Sequence, residues 1–125
     1  MKVADSSYIV EGLIKRKALL EEDFLVTLDL AVYEVANSIW KHECLLKDLD
    51  DGFPYLAILE GLIESGKIQI VSPSMKLMKR TYSLAVKSRR SVYDTVYVAL
   101  ALELCLELAT FDKHQADLFR KEISN

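Results

Sequence analysis

The sequence predicts an α/β fold of three layers, a central parallel sheet with helices on both faces, and three observations carry that prediction. Short apolar strand candidates alternate with longer stretches of helical spacing in the order β-α-β-α-α-β-α-α-β-α, the pattern that crossover helices produce in a parallel sheet. The 125 residues are 51% hydrophobic, enough for the core of one domain, which typically runs to roughly 100–150 residues. Four Gly and two Pro imply few loops and long regular elements.

Lys2-Val3-Ala4 is a short apolar lead that ends at Asp5-Ser6-Ser7, and Tyr8 to Leu20 has helical apolar spacing, broken at the Lys15-Arg16-Lys17 run. Phe24 to Thr27 is a compact strand candidate. Val32, Val35, Ala36, Ile39 and Trp40 recur at the spacing of a core-facing helix, which places Trp40 in the core. A second such helix spans about Phe53 to Glu64 and is stopped by Ser65-Gly66. Ile68 to Val71 is a buried strand, and Pro73 opens the next helix. Ser91-Val92-Tyr93-Asp94 has the form of a capping box before a long apolar helix. Leu106 to Thr110 is the last strand, and Asp112 caps a final short helix.

One domain over residues 1–125 is therefore expected, and a chain of this size supports a core without staples. Cys44 and Cys105 are far apart, with only His42 near either, so neither a disulfide framework nor a zinc site is suggested and a reducing cytoplasm is the expected compartment. An acid at position 5 and the lack of an apolar core argue against a signal peptide. No uncharged apolar stretch exceeds Thr95 to Leu102, well short of the ~18 residues of a membrane helix. The formal charge of −3 argues at first sight against a nucleic-acid partner. Charge is unevenly spread, however: residues 1–72 hold seven basic and thirteen acidic residues, residues 73–125 nine and six. Lys76, Lys79, Arg80, Lys87, Arg89 and Arg90 fall in a stretch without any acid, which reads either as a solvated helix face or as a patch for phosphate.

The acids are more informative by position. Asp5 follows the first strand, Asp112 lies just past the last, Asp94 is in the first turn of one helix and Glu34 near the start of another. Strand ends and the starts of following helices share one edge of a parallel sheet, where sites gather. Carboxylates brought together there repel unless a cation neutralises them, and a hard divalent ion with oxygen ligands, Mg²⁺ or Mn²⁺, suits the donors. Each also has a structural reading, Asp94 and Asp112 as caps and Glu34 as a solvated residue roughly opposite its helix's apolar stripe.

At these positions the chain resembles the PIN-domain nucleases, most closely the small VapC-type toxins of toxin-antitoxin pairs. The resemblance covers nearly the whole chain and rests on Val3 to Ser7, Tyr33 to Asn37, Ser91 to Ala101 and Ala109 to Asp112, in that order and spacing. It implies a PIN-like sheet of four or five strands and a metal-dependent endoribonuclease with Mg²⁺ or Mn²⁺ held by Asp5, Glu34, Asp94 and Asp112. It further implies that Ser6 or Ser7, Thr110 and Asn37 orient those carboxylates. Two departures stand out: Leu104-Cys105-Leu106 where the family commonly has a glycine, and only Phe119 to Asn125 where it often has a fifth strand. Water would attack phosphorus in line, leaving a 5′-phosphate and a 3′-hydroxyl, with no role for His42 or His114. Arg89, Arg90 and Lys87 are candidate phosphate contacts, and Tyr8, Trp40 and Tyr93 candidate stacking residues for unpaired bases. Implied partners are an RNA substrate, an antitoxin whose Arg masks the acids, and a second copy of the chain. The alternatives are an inactive PIN-like interaction module and a signalling receiver domain. The latter lacks its acceptor, because Ser72-Pro73 follows the third strand.

Overall fold

A computed structural model describes all residues, Met1–Asn125. The elements are β1 (Lys2–Ala4), α1 (Ser6–Ile14), α2 (Ala18–Glu21), β2 (Leu25–Leu28), α3 (Asp29–Cys44), α4 (Phe53–Glu64), β3 (Ile68–Val71), α5 (Met75–Ser88), α6 (Val92–Leu104), β4 (Glu107–Ala109) and α7 (Lys113–Ser124). This is the expected order, with the first helical stretch divided at Lys15-Arg16-Lys17. The four strands form one parallel sheet in the order β3-β2-β1-β4. Val3 lies opposite Val26 on one side and Leu108 on the other, while Leu25 to Leu28 run beside Ile68 to Val71. α1 packs against α2, α3 and α4, and α6 packs against α5, α7, β1 and β4, so the sheet has helices as its outer layers.

Burial follows from that placement. Every residue of β2 is buried, and its polar member, Thr27, satisfies its hydroxyl by donating to the Ala4 carbonyl at 2.6 Å. α6 is buried continuously from Thr95 to Ala101, as expected of a helix apolar on all sides. Helix starts follow their caps: Asp5 for α1, Ser74 for α5, Ser91 for α6 and Asp112 for α7 each accept a backbone N–H.

Three sequence expectations are corrected and a fourth is settled. Pro73 does not open α5; Ser74 caps it by accepting the Leu77 N–H at 3.1 Å, and the proline precedes the cap. The last strand is narrower, Glu107–Ala109, because α6 ends at Cys105 in a left-handed turn, φ 56°. A cysteine thus takes the conformation for which glycine is favoured. Phe119 to Ser124 continue α7, so of the four or five strands expected the sheet has four. Finally, the buried stripe of α3 is Ala31, Val35 and Ile39, whereas Val32 and Trp40 are exposed. Trp40 is no core residue.

Gly12 marks the tightest approach between α1 and α2. A Cβ built there would stand 2.5 Å from Leu20 Cγ. Gly12→Val is expected to destabilise the chain by about 1–3 kcal/mol through overpacking, read as a lower urea midpoint at unchanged slope.

Candidate active site

The carboxyl edge of the sheet collects acids because each strand there runs directly into a polar residue. β1 gives way to Asp5, β2 to Asp29, β3 to Ser72, and β4 to Thr110 with Asp112 two positions on. Asp5 is 1% exposed and is held by three donors. Its Oδ1 accepts from Ser7 Oγ at 2.7 Å and from the Tyr8 N–H at 3.0 Å, and its Oδ2 accepts a short hydrogen bond from Thr110 Oγ1. Ser7 Oγ also accepts the Phe111 N–H at 3.0 Å, and Thr110 Oγ1 accepts the Asp112 N–H at 2.9 Å. Two hydroxyls therefore stitch the β1–α1 turn to the β4–α7 turn around one carboxylate. Burial pushes the Asp5 carboxyl above its ordinary range, the three donors oppose that shift, and the Asp112 charge adds to it.

The other acids keep unshared oxygens. Asp112 Oδ1 caps α7 by accepting from the His114 and Gln115 N–H groups at 2.9 and 3.2 Å, which leaves Oδ2 unused. At the start of α6 only half of the capping box forms: the Asp94 N–H donates to Ser91 Oγ at 3.2 Å, and the half-buried Asp94 carboxylate is not used by the chain. Glu34 is half-buried, and its Oε1 accepts from the Tyr97 hydroxyl at 2.5 Å. Tyr97 is 1% exposed, three residues beyond Asp94 on α6. Burial, then the Glu34 bond and charge, then Asp5 and Asp29, push its phenol far above the usual range, so it stays protonated and donates to Glu34.

None of the chain's ion pairs includes Asp5, Glu34, Asp94 or Asp112. An uncompensated set of carboxylate oxygens fits a hard divalent cation in donor type and in charge. No three acids, however, stand close enough together to make a ready three-ligand cage.

Of the residues expected to orient the acids, Ser7 and Thr110 do so directly. Ser6 is the first residue of α1 without such a bond, and Asn37 is exposed one turn beyond Glu34. In the basic run, Lys87 pairs with Glu122 at 3.2 Å, Arg89 ends α5 in a left-handed turn, and Arg90 donates to His114 Nδ1 at 2.8 Å beside Asp112. Tyr8 stacks on Phe111, with ring centroids 5.7 Å apart, and Tyr93 is exposed. Sequence reasoning missed Asp29 and Tyr97. The rule that picked out Asp5, an acid directly after a strand, would have found Asp29, and one-turn spacing from Asp94 would have found Tyr97.

Fold and edge of acids together define a class, and the chain belongs to the PIN domain family, whose model matches residues 2–121. Ribonuclease VapC3 of Pyrobaculum aerophilum is 38% identical over 105 residues, covering 82% of this chain and 77% of that protein. The crystal structure of PAE2754, also from Pyrobaculum aerophilum, superposes with a TM-score of 0.75 at 18% identity, covering 98% of this chain and 92% of that one. VapC20 of Mycobacterium tuberculosis, described as a sarcin-ricin loop cleaving toxin, has a TM-score of 0.70 at 13% identity and 94% coverage of both chains. These two structures bear on the fold. No helix here is long and apolar enough to cross a membrane.

Proposed function

We propose that the chain is one PIN-like domain over residues 1–125 that hydrolyses RNA as an endoribonuclease, the toxin of a VapC-type toxin-antitoxin pair. The observation that carries the reading is the buried Asp5 carboxylate at the end of β1, held by Ser7, Thr110 and the Tyr8 N–H beside Asp112 and in no ion pair of the chain; Glu34 and Asp94 are assigned to the same set by the reading. Likeness to Ribonuclease VapC3 supports RNA as the substrate.

Asp5 and Asp94 are assigned as the first ligands of Mg²⁺ or Mn²⁺, with Glu34 and Asp112 completing the set or orienting the attacking water. A divalent cation bound there polarises the phosphate and makes water a stronger nucleophile at neutral pH. The chain's own part is to hold the acids and to admit the RNA. Ser7, Thr110 and the Tyr8 N–H fix both oxygens of Asp5, so that it presents one orientation. Arg90, bound to His114 at the rim, and Arg89 supply positive charge where a phosphate approaches; Lys87 joins them only on leaving Glu122. The products are a 5′-phosphate and a 3′-hydroxyl. The antitoxin is expected to cover the acids with an Arg, and the active form to be a homodimer in the cytoplasm.

Incubation of the purified chain with single-stranded and structured RNA tests the reading. Cleavage is expected with Mg²⁺ or Mn²⁺ and is expected to stop on adding EDTA, resuming when metal is restored. Cleavage that persists in EDTA overturns the metal-carboxylate chemistry. Metal-bound, folded chain that cuts no RNA favours an interaction module.

A further inference from the structure

We propose that Tyr97 is a positioning residue whose hydroxyl holds Glu34 in place as a cation ligand. This deepens the reading above and rests on it. Helical geometry does not itself aim Glu34 at the site: it lies on the flank of α3, beside a buried stripe of Ala31, Val35 and Ile39. A glutamate there has three rotatable side-chain bonds and, left alone, extends into water. It is instead half-buried and bonded across to α6 at 2.5 Å, by a tyrosine one turn beyond Asp94.

The bond is selective in two respects. A buried tyrosine hydroxyl needs an acceptor, and a backbone carbonyl would serve stability as well. Here the acceptor is a carboxylate, which makes the bond charge-assisted and strong enough to order a flexible chain. It also uses Oε1 alone and leaves Oε2 without a partner in the chain. Tyr97 is buried, and Glu34 is its hydroxyl's one hydrogen-bond partner in the chain. Its removal should therefore be felt in metal binding before it is felt in the fold.

Mn²⁺ binding, followed by loss of the free-ion EPR signal, is measured for the native chain, Tyr97→Phe, Glu34→Gln and the double variant, with melting temperature and RNA cleavage alongside. Tyr97→Phe is expected to weaken Mn²⁺ about ten-fold, as loss of a ligand's orienting partner does, and to lower kcat more than it raises KM. In the Glu34→Gln background the same change is expected to cost nothing further. Native affinity in Tyr97→Phe, with weakened binding in Glu34→Gln, overturns this inference while leaving the site reading intact. A native chain that binds no Mn²⁺ overturns both. A purely structural role would lower the melting temperature without moving metal affinity, and that result also overturns the proposal. A second measurement needs no variant. In a native chain carrying 3-fluorotyrosine at its six tyrosines, the resonance shielded from a dissolved relaxation agent is expected to shift on adding Mg²⁺. No shift overturns the proposal.

Discussion

Asp5→Asn is expected to reduce RNA cleavage by more than about a hundred-fold, since loss of a ligand exceeds the 10- to 100-fold cost of disturbing the groups around one. The metal-free fold should not suffer. Asn matches the shape of Asp5: its carbonyl oxygen can accept from Ser7 and the Tyr8 N–H, and its amide can face Thr110, whose hydroxyl can turn to accept. What the substitution removes is a charge that burial opposes. The folded chain holds the Asp5 proton more tightly than the unfolded chain does. That contribution to stability is complete below the ordinary Asp range and is lost as pH rises through the raised value. Thermal melts in EDTA from about pH 3 to about pH 7 should therefore show the native chain losing ground to Asp5→Asn as pH rises, and metal should reverse the order. Asp94→Asn is the contrast. It should lose cleavage to a similar extent yet melt within a few degrees of the native chain in EDTA at neutral pH, because its carboxylate accepts no hydrogen bond in the fold. A native chain more stable than Asp5→Asn at neutral pH without metal would remove the burial argument.

Thr110→Val should combine a structural loss with a chemical one. The hydroxyl donates to Asp5 Oδ2 and accepts from the Asp112 N–H, so its removal leaves two buried or half-buried groups without partners. Unmade bonds of this kind cost about 1–3 kcal/mol each, which puts the expected destabilisation at about 2–4 kcal/mol after partial rehydration. Cleavage should fall by about 10- to 100-fold as Asp5 loses its orientation. Thr110→Ser keeps the hydroxyl and should recover most of both. Urea melts and single-turnover cleavage on the three chains separate the effects, and a Thr110→Val chain with native turnover would show that Asp5 needs no such support.

How much was legible depended on whether a residue's position follows from its own element. Strand ends do: Ala4 and Ala109 fix where Asp5 and Asp112 emerge, and both were placed from sequence. The helix caps Ser91 and Asp112 were legible for the same local reason. Glu34 was not, because the apolar pattern of α3 includes Val32 and Trp40, which solvent reaches. Counting only the buried residues Ala31, Val35 and Ile39 turns the stripe so that Glu34 sits about 100° from its centre rather than roughly opposite. α3 packs on α1 and β2 through that narrow stripe, while Val32 and Trp40 face solvent. Tyr97 was hidden differently, as one apolar-looking residue in a helix that is buried all round, where pattern cannot single out a position. The narrow β4 and the helical C-terminal segment depended on tertiary context around Cys105.

The bond between Asp5 and Thr110 joins residues 105 positions apart in the chain. During synthesis Asp5 therefore precedes its partner Thr110 by 105 residues. Asp5 and the hydroxyl that binds it are thus absent from each other until that much chain has been made. A nascent chain, which hangs beside a large amount of RNA, carries an unassembled centre until β4 can close the sheet. Translation interrupted upstream of that strand yields a chain in which Asp5 lacks this partner.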